Sequence, residues 1–515
     1  MFDIWEKFLP VPINNLEDSF FSLGGHSLSA VKILFQIKKE FGVEISIQDL
    51  FTYPTIFSLL RVIDEKKIEK NRKMTEIVKN VSGSKSPLSM PHQRILYIEN
   101  TFHNPIIFNN LITLSLTGRL SEKKLENAFH ELIKRHEIFR TCIVREKNQM
   151  FEKVFDKFNF ILEKIDFSQD NAVVQKQKVE EFAKQVVEKP FNLMSLPLIR
   201  GFLIKLGESS YVLVMCLHQF LIDGASMNIF YKELAAFYNG ESLEELKIQY
   251  KDYAFWQSQS ITKKNIQKQV NFWKMELKDA PEQIHLKTDI PRLPEFSYRG
   301  DVYTLNLSKE LSVTSNKFCQ KNDVTLFMLL MSIYSILLTR YTKNRDIVIG
   351  APIANRRSPD LDPLIGFFVN LVPYRVKIPN EITFLELILN TKKVALDAYN
   401  NQDIPFVHLP EYLSIKKRKD YHPIFQVVFA MQPYAVDKFC LNEVQVKDLD
   451  YEEPIAKFDM ALNASLKNGN IELKFEYATD LFVRKSVEKM AKEFKFILEE
   501  CLSRPEKKLT FPNID

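Results

Sequence analysis

The segment Met215-Cys216-Leu217-His218-Gln219-Phe220-Leu221-Ile222-Asp223-Gly224-Ala225-Ser226 gathers an imidazole, a primary amide, a carboxylate and a hydroxyl in one short stretch. Imidazole is the side chain that exchanges protons near neutral pH. The amide donates and accepts hydrogen bonds but takes up no proton there. A carboxylate taken out of water needs a partner. The apolar run Val212 to Cys216 ahead of these groups is short, bounded and rich in strand formers, so it reads as a buried strand that ends in the polar knot. Taken alone, the knot is a histidine closing a strand and an Asp-Gly turn.

A second chemical stretch lies near the N-terminus, Asp18-Ser19-Phe20-Phe21-Ser22-Leu23-Gly24-Gly25-His26-Ser27-Leu28. Taken alone, two glycines before a serine make a turn and a helix cap. Ser27 would nevertheless sit at the positive end of a helix, where backbone N–H groups favour a phosphodiester.

The chain of 515 residues is too long for one ordinary domain. Hydrophobic residues make up 45% and charged residues 26%, enough for sizeable cores. The 70 basic and 65 acidic residues nearly balance at +5, which gives no case for a nucleic acid or a membrane surface as partner. The five cysteines (Cys142, Cys216, Cys319, Cys440, Cys501) are scattered with no Cys-x-x-Cys pair, so neither a disulfide framework nor a metal site is expected. Neither a signal peptide nor an apolar run long enough for a bilayer is evident, and a cytoplasmic protein is expected.

Residues 1–68 read as a helical bundle. Ile4, Trp5, Phe8 and Leu9 share helical spacing, Leu28 to Phe41 continues it with Gly42 as a stop, and Ile56, Leu59, Leu60 and Ile63 follow Pro54. Residues 69–87, dense in Lys, Ser, Asn and Gly, read as a linker. Residues 88–515 mix strand-like Tyr211–Cys216 and Asp346–Ile349 with helical Leu125–Lys134 and Leu326–Leu338.

The stretch around Ser27 resembles the carrier-protein signature of nonribosomal peptide synthetases, and the rest of the chain resembles their condensation domains. Ser89-Met90-Pro91-His92-Gln93-Arg94, Arg135-His136-Glu137-Ile138-Phe139-Arg140-Thr141, the knot at His218, Tyr250-Lys251-Asp252-Tyr253-Ala254, Ile349 to Arg356, Gly366-Phe367-Phe368-Val369-Asn370 and His422-Pro423-Ile424-Phe425-Gln426 follow the family's motif series in order. The resemblance implies an all-α four-helix carrier bundle followed by an α/β condensation domain. The latter has two lobes similar to chloramphenicol acetyltransferase, an N-lobe at about 88–265 and a C-lobe at about 266–515, with the active site in a tunnel between them. It further implies 4'-phosphopantetheine on Ser27 and an amide-forming acyltransferase of secondary metabolism. In such a reaction the amine of an acceptor aminoacyl carrier attacks the thioester held by this carrier. A phosphopantetheinyl transferase and neighbouring synthetase domains such as adenylation are the further partners implied.

One departure stands at the centre. The family's second histidine is Gln219 here, which can orient an amine or steady an oxyanion but cannot act as a base. Successive strand residues face opposite ways, so His218 is expected to pack rather than replace it. The resemblance makes Asp223 a structural ion-pair partner, with Arg356 as the candidate cation and Arg340 and Arg345 as alternatives. Gly224 would let the pantetheine arm pass close to the backbone. Ser226 and Asn370 are candidate tunnel residues, with ordinary turn and surface roles as the alternative.

Condensation slowed by Gln219 is therefore the expectation. The alternative is a noncatalytic condensation fold that docks the loaded carrier for a partner enzyme. Asp223-Gly224-Ala225-Ser226-Met227 departs from the Asp-x-Val-Ser-Trp of epimerase domains, His218 argues against a heterocyclisation domain, and a plain acetyltransferase would not need Ser27. With no adenylation or thioesterase segment in the sequence, a piece of a larger synthetase is expected.

Overall fold

The computed structural model describes all residues except 26, 44, 68–76, 80–82, 103–105, 148, 262, 357, 416, 417, 419, 433–438, 450–454, 468 and 512–515, and leaves out the side chains of 27, 28, 65, 67, 101, 102, 263–265 and 407. The first 67 residues form four helices, α1 (Phe2–Glu6), α2 (Ser27–Phe41), α3 (Ile47–Thr52) and α4 (Ile56–Lys67). α1 ends at Glu6, so Phe8 and Leu9 lie beyond it, although Leu9 still packs in the core. α3 starts at a capping box in which Ser46 and Asp49 bond each other's backbone N–H, which fixes where the chain re-enters a helix after Gly42. Trp5, Phe20, Leu50 and Leu59 are fully buried between the helices.

The large domain has two sheets built on the same logic: apolar strands covered by amphipathic helices. In the N-lobe the order is Val444–Asp448, Asn109–Gly118, Ser210–His218, Ile199–Gly207 and Leu162–Asp166. In the C-lobe it is Asn370–Lys377, Asp346–Ile353, Val427–Gln432, Met460–Lys467, Asn470–Ala478 and Gly300–Asn306. Ser210–His218 is buried along nearly its whole length, as befits a central strand flanked on both sides.

The expected fold is what the structure shows, but two boundaries differ from the sequence reading. Lys85–Pro87, assigned to the linker, already pairs with Gln149–Val154 in a small third sheet. The lobes also exchange chain: Val444–Asp448, numbered in the C-lobe, pairs antiparallel with Asn109–Gly118 of the N-lobe. Leu361, Leu364, Ile365, Phe367 and Phe368 from the C-terminal half likewise pack into the N-lobe core. Two segments thus tie the lobes, so they do not divide cleanly near residue 265.

The carrier rests on the C-lobe. Ser19 Oγ donates to Asp323 Oδ1 at 2.7 Å, Gln320 Nε2 to the Ser22 carbonyl at 3.3 Å, and Asn400 Nδ2 to Gln48 Oε1 at 3.1 Å. Lys32 pairs with Asp362 at 3.2 Å, and the Lys392 ammonium stands 5.2 Å from the centre of the Phe21 ring. Among the described residues no single helix is long and apolar enough to cross a membrane.

Candidate active site

The strand Ser210–His218 delivers the knot to the gap between the lobes. His218 is fully buried against Phe108 and Phe191. Its Nδ1 accepts the backbone N–H of Phe220 at 3.1 Å, which leaves the proton on Nε2, 2.9 Å from Glu99 Oε1. Burial lowers its pKa, with Glu99 pulling the other way. A neutral imidazole with both nitrogens engaged is a packing group, not a base for a neighbouring amine.

Gln219 turns the other way. Its backbone N–H donates to the Phe108 carbonyl at 2.7 Å, and its side-chain Oε1 accepts from Lys457 Nζ at 2.9 Å. Lys457 comes from the C-lobe, just before the strand Met460–Lys467, and its ammonium lies 5.4 Å from the Phe108 ring centre. Both side chains are only partly buried. An ammonium donates and never accepts, so the contact fixes which end of the Gln219 amide faces Lys457. Sequence reasoning missed Lys457, which lies 238 residues away from Gln219.

The loop behind the knot has its own support. His92 stacks on Phe220 with ring centres 3.6 Å apart, its Nε2 lies 2.8 Å from the Phe220 carbonyl, and its Nδ1 lies 2.7 Å from Glu152 Oε1. Lys457 is reached from a third direction: a hydrogen bond joins its backbone to His422, and enclosure by aromatic rings pushes the His422 pKa down to about 4.

Asp223 caps the helix Gly224–Asn239 by accepting the Ser226 N–H at 2.8 Å. Its second oxygen accepts the Phe368 N–H at 2.9 Å, and Arg356 Nη2 lies 3.5 Å from Oδ1. Both side chains are almost fully buried. The closer partner of Arg356 is Ser226 Oγ at 2.7 Å, and its Nη1 donates to the carbonyls of Leu361 and Leu364. Arg340 and Arg345 are elsewhere: Arg340 pairs with Glu493 and Arg345 packs over Phe511.

Three expectations meet a different geometry. Ser226 is fully buried, its hydroxyl shared between Arg356 and the backbone of Gly366, so it joins the lobes rather than facing a substrate. The Asn370 amide is committed to the carbonyls of Gln402 and Ile404 and to the N–H of Phe406, although the residue borders an open cleft with Arg94, Gln257 and Asn355. Gly224 is exposed, and a Cβ there would meet no protein atom within 4 Å. Gly366, by contrast, is required by the packing, since a Cβ there would come within 2.1 Å of the Tyr250 ring.

Ser27 is the first residue of α2, and its side chain and His26 lie outside what the structure describes. The turn before it fits a bulky attachment. Gly24 has φ +82, a conformation that favours glycine, and a Cβ on Gly25 would strike the Phe20 carbonyl at 2.4 Å. The backbone is thus held close to the core while the start of a 15-residue helix offers N–H groups to a phosphodiester.

Comparisons with known proteins bear on the two domains that carry these residues. Residues 2–63 match the family model described as a phosphopantetheine attachment site, and residues 84–514 match that of the condensation domain. Gramicidin S synthase 2 of Brevibacillus brevis is 33% identical over 512 residues, covering 99% of this chain and 11% of that protein. Surfactin synthase subunit 1 of Bacillus subtilis is 33% identical over 508 residues, covering 98% of this chain and 14% of that protein. The chain thus spans about a tenth of the length of these relatives. Among solved structures, the X-domain from teicoplanin biosynthesis superposes with TM-score 0.75 at 23% identity, over 84% of this chain and 98% of that one. The condensation domain of the polyketide synthase MokA gives 0.74 at 21%, over 83% and 99%. At these identities the structural likeness shows the fold alone. With a family model matched over most of its length, the chain belongs to the condensation-domain family and carries a phosphopantetheine-attachment domain ahead of that domain.

Proposed function

We propose that the carrier presents an acyl group on Ser27 and that the large domain joins it to the amine of an aminoacyl group on a second carrier. The observation that carries this reading is the site at the lobe gap: a motif amide, Gln219, held by a lysine from the opposite lobe, on a rigid joint made by Asp223, Ser226 and Arg356. When bound, 4'-phosphopantetheine supplies a thioester on a long arm. A neutral amine attacks the acyl carbon, the C–N bond forms as the C–S bond breaks, and the proton shed by nitrogen balances the one taken up by sulfur.

The protein's contribution is positional. Holding amine and thioester in the gap raises their effective concentration by orders of magnitude. Gln219 hydrogen-bonds and takes no proton, so the amine must arrive neutral; with an α-amino pKa near ~8, roughly a tenth does so at pH 7. Losing an acid–base group costs about 10²–10⁴-fold and leaves proximity intact, so we place this domain among slow but competent catalysts. A phosphopantetheinyl transferase, adjacent synthetase domains such as adenylation, and a cytoplasmic setting complete the reading.

A second reading is favoured by Gln219 itself: a noncatalytic platform that holds the loaded carrier for another enzyme. To separate the two, the full chain is loaded on Ser27 with a peptidyl-pantetheine, mixed with an aminoacyl acceptor carrier, and followed by intact mass. Transfer of the acyl mass to the acceptor supports catalysis, and an acyl group that stays on Ser27 across several acceptors supports the platform. In the same assay Ser27→Ala gains no phosphopantetheine mass from coenzyme A; an undiminished gain refutes the carrier assignment.

A further inference from the structure

We propose that Lys457 is a positioning residue of the condensation site, which makes Gln219 an N–H donor aimed at the acyl carbonyl. This rests on the catalytic reading above and extends it to a residue outside the motifs. The Lys457 ammonium holds Gln219 Oε1 at 2.9 Å, so the amide's other end, Nε2 with its two hydrogens, points away from the lysine. No described residue accepts a hydrogen bond from Nε2, and the partly buried side chain stands where the two lobes meet. The Glu476 carboxylate accepts the Lys457 backbone N–H at 3.4 Å, while Gln219 Nε2 and the Lys457 ammonium bring N–H donors to the gap. Such a set suits the oxygen on which negative charge grows as the amine attacks, and the adjacent ammonium adds its charge in a gap of lowered dielectric.

Lys457 is itself held. It follows Ala456, which is buried and bonds the Tyr298 carbonyl at 2.9 Å. Its own backbone bonds His422. The two residues after it also have fixed places: Phe458 packs on the His422 ring at 4.8 Å, and Asp459 pairs with Arg292. The lysine is thus presented from a fixed loop of one lobe to the strand end of the other. A surface lysine with no role would have no need of such anchoring.

The test has two arms, both on the full chain. In the first, Lys457→Met lowers single-turnover transfer about 10²-fold, while Lys457→Arg, which keeps the charge and the donor, stays within about tenfold of the parent. In the second, calorimetry measures binding of N-acetylcysteamine carrying a phosphonate in place of the thioester carbonyl, and of the uncharged methylene analogue. Lys457→Met should weaken the phosphonate at least tenfold and leave the neutral analogue unchanged. Equal loss of both analogues, or no loss of either, overturns the proposal, as does transfer at the parental rate in Lys457→Met. If the parent binds the phosphonate through Lys457 yet forms no product, the N–H donor site stands and the catalytic reading falls.

Discussion

At the scale of residues, the chemistry turns on which groups are already spent. His218 has one nitrogen on the Phe220 N–H and the other on Glu99, so His218→Ala is expected to act on folding, leaving the partly buried Glu99 carboxylate without its donor. Burial lowers the pKa of His136, His218 and His422, the last to about 4. The sign follows: each is neutral in the fold but would titrate near ~6.5 when unfolded, so the unfolded chain binds more protons as pH falls below that value. Their stabilisation is complete above about pH 6.5 and is lost as pH falls toward 4. The denaturation midpoint should drop between pH 7 and pH 5, and less steeply in His422→Asn; an equal slope in both would remove His422 from the account. Gln219, Asp223 and Arg356 were all visible in the motif series and fall at the lobe joint. Lys457 was not visible, because a contact across 238 residues leaves no local pattern. Ser226 was misread for a related reason: its motif says it matters, while only the fold says that Arg356 and Gly366 take its hydroxyl.

At the scale of elements, the helix Gly224–Asn239 and the segment Leu361–Phe368 share one joint. Asp223 caps the first and holds the second through the Phe368 N–H, and Arg356 ties Asp223 and Ser226 to the carbonyls of Leu361 and Leu364. Removing one charge strands the other in a dry site, which costs about 3–5 kcal/mol, with about 1 kcal/mol more for the lost cap. Asp223→Ala should therefore lower the urea midpoint strongly. The Asp223→Ala/Arg356→Met pair should cost less than the sum of its members, since neither charge is then left alone. Additive losses would argue against the joint. Periodicity gave the helices and strands because burial imposes it: Leu326–Thr342 is apolar on all sides and buried along most of its length. The strand Val444–Asp448 could be read as a strand, but nothing in five residues says which lobe it joins.

At the scale of the whole molecule, the carrier sits on the C-lobe through polar contacts, the partly exposed ion pair of Lys32 with Asp362 and the Lys392 ammonium over Phe21, and the buried apolar residues of the two units form one continuous cluster. Such a pair contributes about 0–1 kcal/mol, so losing it loosens the seat without unfolding the carrier. Lys32→Glu together with Ser19→Ala should raise hydrogen exchange at the Asp323 loop and leave the carrier folded; unchanged exchange there would mean the seat lies elsewhere in solution. The most direct measurement of the central claim is single-turnover transfer by the parent beside Gln219→His. The account predicts product from both, with the histidine variant ahead by no more than about 10²-fold, because proximity is shared and the ammonium of Lys457 disfavours protonation of an imidazole placed against it. Product from the histidine variant alone, or from neither, would contradict it.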